Sequence, residues 1–329
     1  MPGPKIGVVI HTTLRDQIFT PADIERLNAL GDVRYTDAPT PLTVEAACHL
    51  LQDCEVGLGS WRTPYPNAEL VTACQHLRLW EHAAGTVKHF FGPHLEGRDL
   101  TVASCKTAIA DSVAELTLGE IILGLRQILP NAAANRLGAA PAPANHKGLF
   151  AATVGVLGAS EVGKRVLRLL QPFGCRILLY DPTLTPEQAV ALGATLVPDV
   201  LELCRNSDAI TLHTPNIPAC YHLLDAEAFA AMPDDAVFIN TARGDCIDEA
   251  ALIAELEKGR LFAFLDVTSP EPTAPNSPLR RLPNVVLNSH IAGLAAANIG
   301  KQAVDDIAAF LRGERPLCVV TADQLDYTA

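Results

Sequence analysis

Short apolar runs separated by longer amphipathic stretches recur along the whole chain. The run KIGVVIH at residues 5–11 reads as a buried strand, and further apolar runs fall at 56–59, 77–80 and 101–103. Helical spacing of apolar positions lies between them, around 21–30, 44–51 and 67–74. Strands alternating with helices predict parallel α/β packing. From Thr153 a more regular series begins. Its predicted strands are 153–157, 176–180, 209–213, 236–239, 263–267 and 285–287, with helices between them, notably 161–170 and 249–258. Six strands in this alternation match a doubly wound, dinucleotide-binding type of sheet. A last amphipathic helix is predicted over 298–312.

Between the two series, residues 112–129 give the clearest helical pattern. Ser112-Val-Ala-Glu115 fits a capping box, which places the helix start at Ser112. Leu118, Ile121, Ile122, Leu125 and Leu129 form a stripe, and Val113, Leu116, Leu123 and Ile128 widen it. A helix apolar nearly all round is expected to be buried between domains or subunits. Pro130 is read as following its end, and AAPAPAN at 139–145 as an extended loop.

Composition narrows the classes of function. The formal net charge is −12 with acidic and basic residues interspersed, which argues against nucleic acid or an anionic membrane as partner. A local pocket can still oppose that charge and accept a small anion. The nine Cys include no CxxC pair, so neither a disulfide framework nor a metal site is expected. The opening MPGPKIGVVIH lacks a signal-peptide pattern, and no apolar run reaches membrane-spanning length. Cytoplasmic residence is the expectation.

The candidate chemistry sits in the second series. Gly158-Ala-Ser-Glu-Val-Gly163 lies between a predicted strand and a predicted helix, where a GxGxxG loop would bind a dinucleotide. Gly158 permits the tight turn and Gly163 lets helix and sheet pack closely, while Ser160 stands at the middle glycine. The free N–H groups of the helix start, at Glu161 and Val162, would face the pyrophosphate. Asp181 ends the next strand, where an acid binds ribose hydroxyls and repels the 2′-phosphate of NADP, so NAD is the expected cofactor. Arg243, Glu271 and His290 fall at or just after predicted strand ends, where open α/β sheets place ligands. An arginine can grip a carboxylate in a fork, a histidine can donate a proton near neutral pH, and a glutamate can stabilise the imidazolium. That set suffices for hydride transfer to a small 2-keto acid.

The stretch from His213 to Leu252 resembles the signature of the D-isomer-specific 2-hydroxyacid dehydrogenases. Their NxxRGxxxDExAL pattern is met by Asn240, Arg243, Gly244, Asp248, Glu249, Ala251 and Leu252. DVTSPEP at 266–272 resembles their DVFxxEP, NSHIAG at 288–293 their TPHIAG, and SVAE at 112–115 and PLCVV at 316–320 further landmarks. The resemblance implies Arg243 for substrate binding, His290 as acid/base and Glu271 as its partner. It implies cofactor contacts from His213, Thr214, Pro215, Thr241, Ala242, Arg243, Asp266 and His290, and a substrate loop at 79–90 with Ala84 and Gly85. Lys106 stands where the family often has Pro, and it is read as a second substrate-binding cation; Lys88 stands near a common Asp. The implied fold is α/β, with two Rossmann-like or flavodoxin-like domains of parallel sheets and the active site in the cleft between them. A discontinuous substrate-binding domain of 1–104 and 294–329 would flank an NAD-binding domain of 105–293. A homodimer through the 112–129 helix is implied as well. Two other readings share these motifs, an NAD-responsive regulatory protein and a phosphite-type dehydrogenase. Formate dehydrogenases carry Gln where Glu271 stands.

Overall fold

In the computed structural model, which describes residues 3–138, 147–294 and 298–325, the chain forms two compact units. One comprises Met1–Ile109 with Ala296–Ala329, and the other Ala110–Ala295. The AAPAPAN segment lies outside the described residues.

The first unit is built on strands β1 (Lys5–Val8), β2 (Asp32–Tyr35), β3 (Val56–Gly59), β4 (Leu79–His82) and β5 (Thr101–Ser104). These five are parallel and lie in the order β5-β4-β3-β1-β2. This is the flavodoxin-like order. Alternate side chains feed opposite faces of the sheet. Val8, Leu58, Leu79 and Ala103 pack with Ile299, Ala303 and Ile307 of the Ile299–Leu311 helix. Val9, Trp80 and Val102 pack with Leu51, Leu70 and Phe90 on the other face. The two glycines of β3 make room for the buried Trp80, since a Cβ at Gly57 or Gly59 would stand 2.7 or 2.6 Å from its ring.

The second unit has strands β6 (Thr153–Leu157), β7 (Arg176–Tyr180), β8 (Thr195–Leu196), β9 (Ala209–Leu212), β10 (Val237–Asn240), β11 (Phe262–Leu265) and β12 (Val285–Leu287). All are parallel, in the order β12-β11-β10-β9-β6-β7-β8. The chain reverses direction across the sheet between β6 and β9, the switch point at which such sheets bind nucleotides. Two clusters cover its faces, one including Leu157, Phe238 and Leu265, the other Val156, Ile239 and Phe264. A last strand, β13 (Val319–Val320), pairs antiparallel with β5 at the edge of the first sheet.

The long helix differs from its sequence reading. It runs Lys106–Leu125, so Ser112 lies inside it and caps nothing. Its start is set by the end of β5: the Cys105 amide donates to the carbonyls of His82 and Ala84, and the Cys105 carbonyl accepts from Ile109. The helix stops where Gln127 takes a left-handed conformation at φ 47°. Ile128 and Leu129 belong to a second helix, Ile128–Arg136. Pro130 therefore lies in a first turn, where its missing N–H removes no helical bond, rather than after an end. The expected loop at 79–90 begins with β4 and ends in a short turn at Lys88–Phe90, leaving only the residues between as loop. β2, β8 and β13 were not foreseen; the first is a part-exposed edge strand with charged residues, and the other two are two residues long. No helix among the described residues is long and apolar enough to cross a membrane.

Candidate active site

At the switch point of the second sheet, β6 leads through Gly158, Ala159 and Ser160 into the helix Glu161–Leu170. Gly158 sits at φ +90°, in the left-handed region that side chains avoid, and a Cβ there would meet the His213 carbonyl at 3.0 Å. At Gly163 a Cβ would come within 2.1 Å of the Gly158 carbonyl oxygen. The spacing of these two glycines is thus dictated by backbone approach. Ser160 is the N-cap residue, its hydroxyl accepting from the Gly163 amide at 3.4 Å. That bond gives the side chain at the third position of the loop a structural role. The amides of Glu161 and Val162 fall in the first turn, where no intrahelical carbonyl can accept from them.

Asp181 follows β7 and reaches back to the same loop. Its carboxylate accepts from the Ala159 amide at 2.8 Å and from the Thr183 amide and hydroxyl at 2.9 and 2.7 Å. The group remains partly exposed. His213 is buried, hydrogen-bonded through Nε2 to the Thr211 hydroxyl, and burial pushes its pKa down to about 3. It is a neutral packing element beneath Gly158. The Thr214 hydroxyl beside it is buried next to the thiols of Cys220 and Cys246. A loop without Cβ atoms at its two tightest points, free first-turn amides and a nearby carboxylate together fit a dinucleotide.

Three neighbouring strands, β10, β11 and β12, carry the other candidate groups on their C-terminal loops. After β10, the buried Asn240 straps the turn, accepting from the Ala242 amide and donating to the Arg243 carbonyl, both at 3.0 Å. Arg243 is left half-buried, with one guanidinium nitrogen donating to the Ala242 carbonyl. A Cβ at Gly244 would stand 2.2 Å from the Thr268 backbone, so only glycine lets the β10 and β11 loops pass this closely. Asp248 caps the helix Glu249–Glu257, and the Glu249 carboxylate accepts from the Ser269 amide at 3.0 Å, two residues before Glu271. Each fixed position of the Asn240–Leu252 motif thus holds a loop in place, packs against the core as Ala251 and Leu252 do, or carries the half-buried guanidinium.

After β12, His290 lies at φ +58°, its amide donating to the Asp266 carbonyl at 2.8 Å. The Asp266 carboxylate is buried and accepts from the Ile291 and Ala292 amides at 2.8 and 3.0 Å. Asp266 therefore anchors the loop that carries His290. His290 Nδ1 lies 2.6 Å from Glu271 Oε1; a carboxylate oxygen only accepts, so Nδ1 donates and Nε2 is free. The two side chains are 46% and 42% exposed, as a pair open to a ligand must be. Thr241 is buried, and Ala242 and Thr214 are partly so. Pro215 accepts from the Cys246 thiol through its carbonyl.

In the first unit, Ala84 is buried and Gly85 half-buried in the loop after β4, where a Cβ on Gly85 would meet only Ile109, at 3.6 Å. Lys106 opens the long helix immediately after β5 and is half-buried. Neither Lys88 nor Lys106 has an ion-pair partner among the described residues, and no cluster of metal-ligating residues occurs among them. All nine cysteines are free.

Sequence reasoning missed the inner support of the site. The Lys106–Leu125 helix meets the loops of the candidate residues at Ser112, whose hydroxyl donates to the Ala292 carbonyl at 2.9 Å, and at Thr117, whose hydroxyl lies 3.1 Å from that of Thr241. It also meets them at Glu120, 3.5 Å from the Asn288 amide group. The available signal was a lone carboxylate, Glu120, amid an otherwise apolar stripe.

Comparison with known proteins agrees with this geometry. Residues 119–292 match the family described as D-isomer specific 2-hydroxyacid dehydrogenase, NAD binding domain. The chain is 32% identical to D-3-phosphoglycerate dehydrogenase of Methanocaldococcus jannaschii over 90% of its own length, and spans 57% of that protein. It is 30% identical to glyoxylate reductase of Thermofilum pendens, over 79% of each chain. Among solved structures, a protein from Thermus thermophilus superimposes with a TM-score of 0.76 at 26% identity, covering 96% of this chain and 100% of the other. Apo D-mandelate dehydrogenase of Rhodotorula graminis shares the fold, with a TM-score of 0.79 at 24% identity over 97% and 98% of the two chains. NAD is the cofactor, and the chain belongs to the D-isomer-specific 2-hydroxyacid dehydrogenase family.

Proposed function

We propose that this protein exchanges a hydride between NAD(H) and a small 2-keto or 2-hydroxy acid of D configuration. The observation that carries the reading is the open His290–Glu271 pair, 2.6 Å apart, on the same sheet edge as Arg243. Relatives named glyoxylate reductase and D-3-phosphoglycerate dehydrogenase support the substrate class. A bound nicotinamide supplies or takes the hydride. The guanidinium of Arg243 grips the substrate carboxylate with the N–H groups it does not give to Ala242. His290 Nε2 gives its proton to the oxygen of the carbonyl as that carbon is reduced, and takes it back from the hydroxyl in the reverse direction. Glu271 holds the Nδ1 proton, fixes the tautomer and stabilises the imidazolium. Gly158, Ser160, Glu161, Val162 and Gly163 cradle the pyrophosphate, and Asp181 binds the adenosine ribose. Thr214, Pro215, Thr241 and Ala242 line the remainder of the cofactor site.

In this reading residues 105–293 form the NAD-binding domain and residues 1–104 with 294–329 the substrate-binding domain; Ala84 and Gly85 of the latter bind substrate, as does Lys106, just past its boundary. The protein is cytoplasmic and works as a homodimer through its long helix. The exposed Leu123 of that helix, with Ile128 and Leu129 of the helix that follows it, at 36%, 45% and 39%, supports that assembly. A panel of 2-keto acids with NADH, followed by loss of cofactor absorbance, tests the activity. His290→Ala is expected to lower kcat by roughly 10²–10⁴ while NADH binding survives. Near-normal turnover in a folded His290→Ala protein, or turnover of phosphite and of no 2-hydroxy acid, would sink the proposal.

A further inference from the structure

Glu120 is only 3% exposed, on the helix Lys106–Leu125. Its Oε1 lies 3.5 Å from Asn288 Nδ2, and its Oε2 is buried with no hydrogen-bond partner among the described residues. Nothing in the helix requires a carboxyl there, because its neighbours Leu118, Ile121, Ile122 and Leu125 belong to or pack against the apolar core. A polar oxygen left buried and unpaired is unfavourable to the fold, so its presence calls for a reason beyond packing.

The surroundings supply one. Asn288 begins the segment that carries His290, its amide donating to the Leu265 carbonyl at 2.8 Å. Asp266, whose charge bears on Glu120, holds the same segment through the Ile291 and Ala292 amides. One turn earlier, Thr117 gives its own proton to the Val113 carbonyl at 2.8 Å, so the Thr241 hydroxyl donates to Thr117 across 3.1 Å. Ser112 holds the Ala292 carbonyl. One helix therefore props the loops of Arg243 and His290 from beneath.

We propose that Glu120 is a positioning residue for the reaction, acting through Asn288 and Asp266 on the loop that carries His290. The proposal rests on the activity argued above. Burial first, and the Asp266 charge second, push the Glu120 pKa up to about 8. Its neutral form is thus the working form. With Glu120 protonated, one negative charge, that of Asp266, faces the buried site from the end of β11, and Asn288 faces it as a neutral amide from the end of β12. Once Glu120 ionises, two carboxylates oppose each other in a water-poor site. The segment 288–292 then loosens from Asp266, displacing His290 and, with Asp266 itself, the cofactor contact that the family resemblance gives to Asp266.

The test is the NADH dissociation constant, with kcat and KM, from about pH 6.5 to about 9.5. Wild type is expected to lose NADH affinity by about threefold or more as the pH rises through about 8. Glu120→Gln keeps the shape and the acceptor for Asn288 but cannot ionise, so its NADH affinity should stay flat over that interval, with kcat at pH 7 within about twofold of wild type. Glu120→Leu removes the contact and should lower kcat about tenfold with KM little changed. A Glu120→Gln protein that follows the wild-type pH curve, or a wild-type curve with no fall, overturns the proposal. If Glu120→Leu does not fold, the Gln variant decides alone. The NADH arm needs no keto acid, so a wild type that turns over no 2-keto acid would reject the activity while leaving the binding curves to judge Glu120.

Discussion

Both sheets end in loops that carry charged side chains, but the two C-terminal edges are built differently. In the Ala110–Ala295 unit each charged group stands on a loop fixed by side chains: the buried Asn240 behind Arg243, the half-buried Glu249 before Glu271, the buried Asp266 beneath His290. Gly163 stands where the Gly158 carbonyl of its own turn, and Gly244 where the Thr268 backbone of the next loop, comes within 2.1–2.2 Å of a would-be Cβ. In the Met1–Ile109 unit the loop after β4 is held mainly by backbone: the Ala83 amide donates to the Gly59 carbonyl at 2.8 Å and the Cys105 amide to that of Ala84 at 3.0 Å, with one buried side chain added, Ser60, whose hydroxyl donates to the Ala83 carbonyl at 2.7 Å. The cations beyond it, Lys88 and Lys106, touch no counter-charge among the described residues. The first edge needs its residues in order to fold. The second leaves its side chains free for whatever binds there.

That difference breaks most sharply at the glycines. Gly163→Ala drives a methyl into the Gly158 carbonyl, a strain of about 1–3 kcal/mol that the backbone must absorb by opening the loop. NADH affinity is expected to fall on the order of 10–100-fold, read by calorimetry. Gly85→Ala, with open contact at 3.6 Å, should change NADH affinity less than about twofold. Equal losses from both would mean that the two edges are not distinct in the way described.

A second contrast lies in what each unit buries. The first holds Glu81 on β4, fully buried, its Oε1 accepting from the Cys105 thiol at 3.4 Å and its Oε2 without a partner among the described residues. Burial, and then the charge of Asp306, push its pKa well above the usual carboxylate range. A carboxyl raised in the folded state contributes stability that is complete below the unfolded pKa, about 4.3. That stability is lost as pH rises from there through the folded value. Over that window the slope is about 1.4 kcal/mol per pH unit for one proton. Glu81→Gln should remove that slope between about pH 5 and 7, measured by urea unfolding at several pH values, while the NADH titration stays as in wild type. Parallel stability lines for the two proteins would show that Glu81 ionises freely in the fold. Glu81 is thus expected to report on stability where Glu120 reports on cofactor binding.

How much of this was legible in the sequence follows the same division. Val44–Leu51, Thr153–Leu157 and Glu161–Leu170 form where the pattern places them: the apolar run marks the strand, and at the two helices the apolar period agrees with a capping residue, Thr43 and Ser160. The turn glycines and the Asn240–Leu252 motif were readable because backbone geometry admits few residues there. Ser112 misled for a physical reason: its S-x-x-E spacing is locally that of a cap, but the hydroxyl's partner is the Ala292 carbonyl, far along the chain. Glu120 and Thr117 escaped notice because their partners, Asn288 and Thr241, are likewise distant and the stripe around them reads as core. β8 and β13, two residues each, carry too few side chains for a period to show.

The smallest expected effect tests the freer edge at Lys106. It is the first residue of a 20-residue helix whose first turn contains no acid, so its ammonium sits against the positive end of the helix dipole. Such a placement costs about 0.3–1 kcal/mol at an exposed site. The Lys106 charge is therefore unfavourable to its own unit unless an anion binds beside it. Lys106→Met keeps most of the stem and removes the charge. The variant should melt at the same temperature as wild type or slightly higher. For 2-keto acids that bear a second anionic group, kcat/KM is expected to fall about 3–10-fold, equivalent to roughly 0.7–1.4 kcal/mol. Pyruvate and glyoxylate, which carry no second group, should change less than about twofold. A uniform effect across the panel, or none, would return Lys106 to the solvent and leave the specificity of this edge to its uncharged loop residues.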